Sequence, residues 1–221
     1  YQAFISALIS CIIAIPFSLA LNRHKNNKII KLIISLCGFS FVLPSILVVY
    51  AVIKIYGYNG ILNNYFNFYN FFQIDTIYGL TGILLAHIFL NAPFATRLFV
   101  QNLNNIPEKY YEISKTLNLS FMGNIIKLEY PIIKQNLFTV FSIIFSLCFL
   151  SFAIVMALGG SPQNSTLEVA IYQYALFELN FQKAIILSFI QIFICLVFVL
   201  IGFFSIKGSN FFEIEIKTNI H

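Results

Sequence analysis

Apolar residues occur in long unbroken blocks, not in alternation with polar ones. Five blocks stand out: 3–21, 32–53, 80–100, 137–158 and 184–204. Each is close to the roughly 20 residues that an α-helix needs to cross a hydrocarbon core of about 30 Å. No Asp or Glu falls inside any block, and the one cation, Arg97, sits near the end of the third, where it can reach the interface. Membrane-spanning β-strands are shorter and alternate in polarity, so the pattern predicts an all-α, polytopic membrane protein with five spans in one domain, residues 1–221.

The segments between the blocks carry their own patterns. The stretch Tyr56 to Gly79 is rich in Asn, Tyr and Phe and reads as an interfacial loop or short helix on the outer side. Gly159 to Thr166 is a turn cluster, and Leu167 to Phe177 reads as one or two helical turns after it. Between the third and fourth blocks, Asn104 to Pro131 is patterned twice. Asn105, Pro107 and Glu108 form a helix start, with apolar residues following at Tyr110, Ile113 and Leu117. Asn118 tolerates the left-handed conformation that ends helices. Ser120 can cap a second helix from Phe121, which Pro131 is expected to end at about Glu129. The competing reading of 104–131 is a plain linker.

Composition narrows the class. Apolar residues make up 59% of the chain, charged residues 10%, and mean hydropathy is +0.86. A soluble domain uses about 25% charged residues, so soluble enzymes, nucleic-acid modules and disordered segments are excluded. The net charge of +5 reflects thirteen Lys and Arg against eight acids. Ten of those thirteen lie after the first, third and fifth blocks, and Arg97 at the end of the third makes eleven on that side, which places these segments in the cytoplasm and Tyr1 outside. The cations are therefore topogenic, and no nucleic-acid partner is expected. The four cysteines lie singly in apolar runs, so neither a disulfide framework nor a metal site is indicated. The chain opens on Tyr1, not Met, and is read as a fragment or one half of a longer protein.

Several single residues have two readings. His87 and Asn91 lie one helical turn apart near the middle of the third span. They either line a translocation path or tie helices together by hydrogen bonds. Gly159, Gly160, Thr166, Glu168 and Tyr172 either meet an external protein or are ordinary turn, loop and interfacial residues. Phe and Tyr total 38; they offer faces to a cationic ring and are equally common membrane filler.

The loop at 104–131 resembles that of binding-protein-dependent ABC importer permeases. Their pattern, Glu-Ala-Ala, three residues, Gly, nine residues, Ile-x-Leu-Pro, is met here by Glu112, Ile113, Ser114, Asn118, Leu128, Tyr130 and Pro131. The departures are Ile113 and Ser114 for the two Ala, Asn118 for Gly, Leu128 for Ile and Tyr130 for Leu. The runs 82–107 and 151–173 are similar to the first half of the thiamine or thiamine-pyrophosphate subgroup. The resemblance implies a MetI-like five-helix core, with 104–131 docking on ATPase subunits as a coupling loop. It further implies a periplasmic or lipid-anchored binding protein, a second permease half (fused or separate), and a multi-pass site in the bacterial inner membrane. ATP and Mg would sit on the partner ATPase. No Gly-x-x-x-x-Gly-Lys-Ser/Thr loop occurs, so the chain is not expected to be an enzyme, and no cofactor is expected in it. Alternatives are an iron(III) or other small-solute importer and, outside the class, a secondary transporter or channel.

Overall fold

The computed structural model describes residues 1–66, 77–159 and 165–218. Among these the chain is helical, and five helices are long and apolar enough to cross a membrane: Gln2–Arg23, Ser45–Tyr65, Leu80–Asn104, Phe121–Phe149 and Phe181–Ser205.

Helix α1 (Gln2–Arg23) buries a stripe of small residues: Ala3, Ser6, Ala7, Ser10, Cys11, Ala14 and Ser18. Spacings of three and four place them on one face. Lipid offers apolar surface everywhere, so helices associate in it chiefly by close packing, which small side chains permit. The stripe meets α5 (Leu80–Asn104), whose buried face includes Ala92, Ala95, Thr96 and Phe99. Helix α8 (Tyr130–Phe149) closes the group through Ile133, Val140, Ile144 and Cys148. The last helix, α11 (Phe181–Thr218), lies along α8. Thr139 Oγ1 donates to the Gly202 carbonyl at 3.0 Å, and a side chain at Gly202 would press on Ser142.

A second core joins α3 (Ser45–Tyr56), α5, α9 (Phe152–Leu158) and α10 (Leu167–Leu176) through Val48, Val52, Ile83, Ile154, Leu158 and Val169. Gly79, at φ 101°, donates its N–H to the Leu158 carbonyl at 2.6 Å and so pins the start of α5 to the end of α9. That backbone angle suits glycine alone.

Two of the expected continuous spans are broken. The block 32–53 is two helices, α2 (Lys28–Phe39) and α3, with Ser40 to Pro44 between them. Pro44 lacks an N–H and pushes Leu43 away from the helical region; the Ser40 hydroxyl donates to the Cys37 carbonyl and satisfies part of the freed end. The helical stretch that is long and apolar enough to cross is counted from Ser45 and runs on toward α4 (Ile61–Phe66), and the break before it lies beside His87 in the middle of α5. The block 137–158 is likewise divided at Leu150–Ser151, between α8 and α9. Gly38 of α2 leaves room for the Arg97 guanidinium, which a Cβ there would overlap.

Candidate coupling site and transport path

Helix α6 (Glu108–Thr116) follows α5 with almost no pause. Asn105 is still helical, so Pro107, at φ −60° and ψ 141°, stands at the cap position and Asn105 does not. Glu108 in the first turn and Lys115 in the last complement the helix dipole. The stop falls where Asn118 was expected to place it: Asn118 adopts φ 50°, and the Leu119 N–H returns to the Ser114 carbonyl at 3.0 Å. Ser120 caps the next helix, α7 (Phe121–Asn124), by accepting from the Gly123 N–H at 3.2 Å.

The expected stop at Pro131 does not occur. A π-helical turn, Ile125–Glu129, links α7 to α8, and Pro131 lies in the first turn of α8. The wider turn makes room for the proline ring and tolerates its missing N–H, so the helix passes through.

The pattern residues divide by environment. Ser114 is buried, its hydroxyl donating to the Tyr111 carbonyl at 2.8 Å. Glu112 and Ile113 are exposed, Leu128 is half-buried, and Pro131 is exposed. Ile113, Leu117, Phe121, Met122 and Ile126 all present more than half their surface. Phe121 keeps one ring face on Arg23, and the other four leave an apolar surface open on the outside of the loop.

What local patterning could not reveal is how the loop is held. Glu129 is buried and takes a 3.1 Å ion pair from Arg23 at the end of α1, 106 residues away. The Arg23 guanidinium also lies 3.7 Å from the Phe121 ring centroid. Asn22 Nδ2 donates to the Tyr111 hydroxyl at 3.4 Å, and Lys25 to Asn104 Oδ1 at 3.3 Å. Burial, with the Glu129 carboxylate adding to it, holds the Tyr111 phenol above its ordinary value against the opposing effects of Asn22 and Arg23. These groups line a cleft of about 430 Å³ between α1 and the loop. Sequence position alone marks Arg23 only as one of the cations that follow the first block.

His87, 1% exposed, is bonded through both ring nitrogens: Nδ1 to Ser6 Oγ at 3.0 Å and Nε2 to Ser151 Oγ at 2.5 Å. Both partners are hydroxyls, which can meet a neutral imidazole by accepting from one nitrogen and donating to the other. The ring ties α1 and α5 to the break between α8 and α9. Asn91 donates to Cys148 Sγ at 3.2 Å. Both residues also line a cavity of about 430 Å³ reached by Phe41, Phe94 and Phe152.

On the outer side, Glu168 accepts from Gln191 Nε2 at 2.8 Å. Its burial holds the carboxyl above the usual range, partly offset by that bond. Tyr172 packs against Phe152 and Phe177 at centroid distances of 4.9 and 5.7 Å. Gly159 stands at the end of α9 and Thr166 at the start of α10, where its hydroxyl is buried. Gly160 lies outside the described residues.

Broken spans, a capped double helix between two of them and an outward apolar face define a polytopic membrane component. The chain belongs to the binding-protein-dependent transport system inner membrane component family, whose model matches residues 5–208. It is similar, at 40% identity over 94% of its length, to the thiamine transport system permease protein ThiP of Haemophilus influenzae, and at 37% over 91% to that of Escherichia coli K12. The chain spans about two fifths of the length of these relatives. In fold it is similar to a bacterial ABC transporter involved in the import of the acidic polysaccharide alginate, with TM-score 0.62 and 15% identity, over 94% of this chain and 78% of that one.

Proposed function

We propose that the chain forms one half of an inner-membrane permease that carries thiamine or its phosphates into the cell. ATP hydrolysis takes place on a separate ATPase, to which ATP and Mg bind. A binding protein delivers the substrate from outside, near Gly159, Gly160, Thr166, Glu168 and Tyr172. The second half is fused or supplied by another chain. The supporting observation for coupling is the cytoplasmic loop, which is clamped to α1 by Arg23–Glu129 while its exposed side, with Glu112, Ile113 and Leu117, is free for a partner. The substrate follows from the names of the relatives, and 37–40% identity over more than nine tenths of the chain supports it over iron(III) or another solute. A rigid loop moved by the closing ATPases would rock the spans between two states.

The test is uptake of labelled thiamine by the full permease, reconstituted with its ATPase and binding protein. Glu112→Lys is expected to abolish uptake and to uncouple it from ATP hydrolysis. Unchanged uptake in that variant would overturn the coupling role, and uptake of a ferric chelate in place of thiamine would overturn the substrate.

A further inference from the structure

The two helix breaks have something in common. Ser40, Phe41, Leu43 and Ser45 come from the first; Leu150, Ser151 and Phe152 come from the second. Together they line one cavity against the His87–Asn91 turn of α5. Irregular backbone at membrane depth persists where it is buried in protein or lines a cavity, and in transporters such breaks frame substrate sites. About 430 Å³ is within the roughly 300–1,000 Å³ that accommodates small molecules.

The chemistry of the lining is selective. It contains no Asp, Glu, Lys or Arg, and its one ionisable group, His87, is occupied at both nitrogens by Ser6 and Ser151. A charged guest would find no countercharge. What it would find is aromatic surface: Phe41 and Phe94 stack with centroids 5.2 Å apart and planes 23° from parallel, and Phe152 lines the same space. Phe41 is 61% exposed, so its outer face is not spent on the core. Ring faces attract cations without a formal charge and hold them more tightly when water is excluded. Asn91 uses only its Nδ2, on a weak sulfur acceptor, and keeps a carbonyl oxygen to accept a hydrogen bond.

We infer that this cavity is a transit station for the substrate within the membrane: the Phe41–Phe94 pair holds a cationic aromatic ring and Asn91 accepts a hydrogen bond from its amino or hydroxyl group. His87 is a positioning residue that keeps the α8–α9 break open and does not itself touch the guest. The inference rests on the thiamine reading above, since thiamine is a small cationic heteroaromatic molecule with donor groups. Transit demands modest affinity, and uncharged rings supply it where a carboxylate would trap the guest.

The chain contains no Trp, so an introduced Trp reports on its own surroundings against the background of the unsubstituted permease. Phe94→Trp and, separately, Phe41→Trp are placed in the full reconstituted permease, with Phe189→Trp on the exposed face of α11 as the control. Thiamine is expected to quench the added emission saturably at positions 94 and 41 and not at 189. A neutral analogue lacking the quaternary nitrogen is expected to need about tenfold higher concentration, the worth of one cation–π contact. Equal quenching at all three positions, or none at 94 and 41 while the unsubstituted permease takes up thiamine, would overturn the station. Failure of the unsubstituted permease to take up thiamine would instead overturn the thiamine reading.

Discussion

Helix α1 is held at two places by different chemistry. At its cytoplasmic end Arg23 reaches Glu129 through an ion pair, backed by the Phe121 ring. One end away, Ser6 reaches His87 through a neutral hydrogen bond that continues to Ser151. The ionic tie borders an open cleft at the end of the span, and the other lies within the apolar helices, where a charge is costly. Each tie fastens something to α1: the first the 104–131 loop, the second the break between α8 and α9. Between them the small-residue stripe lets α1 and α5 pack closely. One helix thus joins the 104–131 loop at one end to the broken spans at the other, by a charged tie and an uncharged-partner tie respectively.

The comparison can be broken most forcefully at Glu129. Replacing it with Leu leaves Arg23 half-buried without its partner, and removing one member of a buried pair costs about 3 kcal/mol or more. The thermal midpoint of the purified permease is expected to fall accordingly, and the swap of Arg23→Glu with Glu129→Arg is expected to recover much of the loss. A swap as unstable as the single change would mean that the carboxylate serves only as packing. The neutral tie should yield less. His87→Leu strands Ser6 and Ser151, which is worth about 1–2 kcal/mol. Combining it with Ser6→Ala is expected to cost less than the two changes summed; strict additivity would dissolve the proposed bond. Smallest is the loop's own turn. Asn118→Val forces a β-branched residue to positive φ, at about 1–2 kcal/mol confined to the loop, whereas Asn118→Gly is expected to be tolerated. Protease cleavage near residue 118 should rise in the valine variant with the spans intact, and equal cleavage in both variants would argue against the left-handed turn.

How much of this was legible follows from the range of each signal. Continuous apolar runs announced the spans, because burial in lipid acts on every residue of the run. Asn118 and Ser120 were legible because turn and cap chemistry are local to three or four residues. Pro44 carried a visible warning of its break, muted by the tolerance of membrane helices for proline. Leu150–Ser151 carried none: that break is associated with a hydroxyl taken by His87, 64 residues earlier. Arg23 and Glu129 lie 106 residues apart, beyond any periodicity. The resemblance directed attention to Glu112 and passed over Glu129, the next-to-last position before the proline, which proves to be the buried one.

The π-helical turn at Ile125–Glu129 sets an angle. Each residue of an α-helix advances it by about 100°, and a wider turn absorbs an extra residue without lengthening the helix in proportion. Everything before that turn is thereby rotated about the axis of α8 by roughly one residue's worth. The rotation is what aims Phe121 at the Arg23 guanidinium while Met122 and Ile126 look outward. The five residues from Ile125 to Glu129 thus act as a torsional setting, and the azimuth of the loop's exposed face relative to the spans is written there.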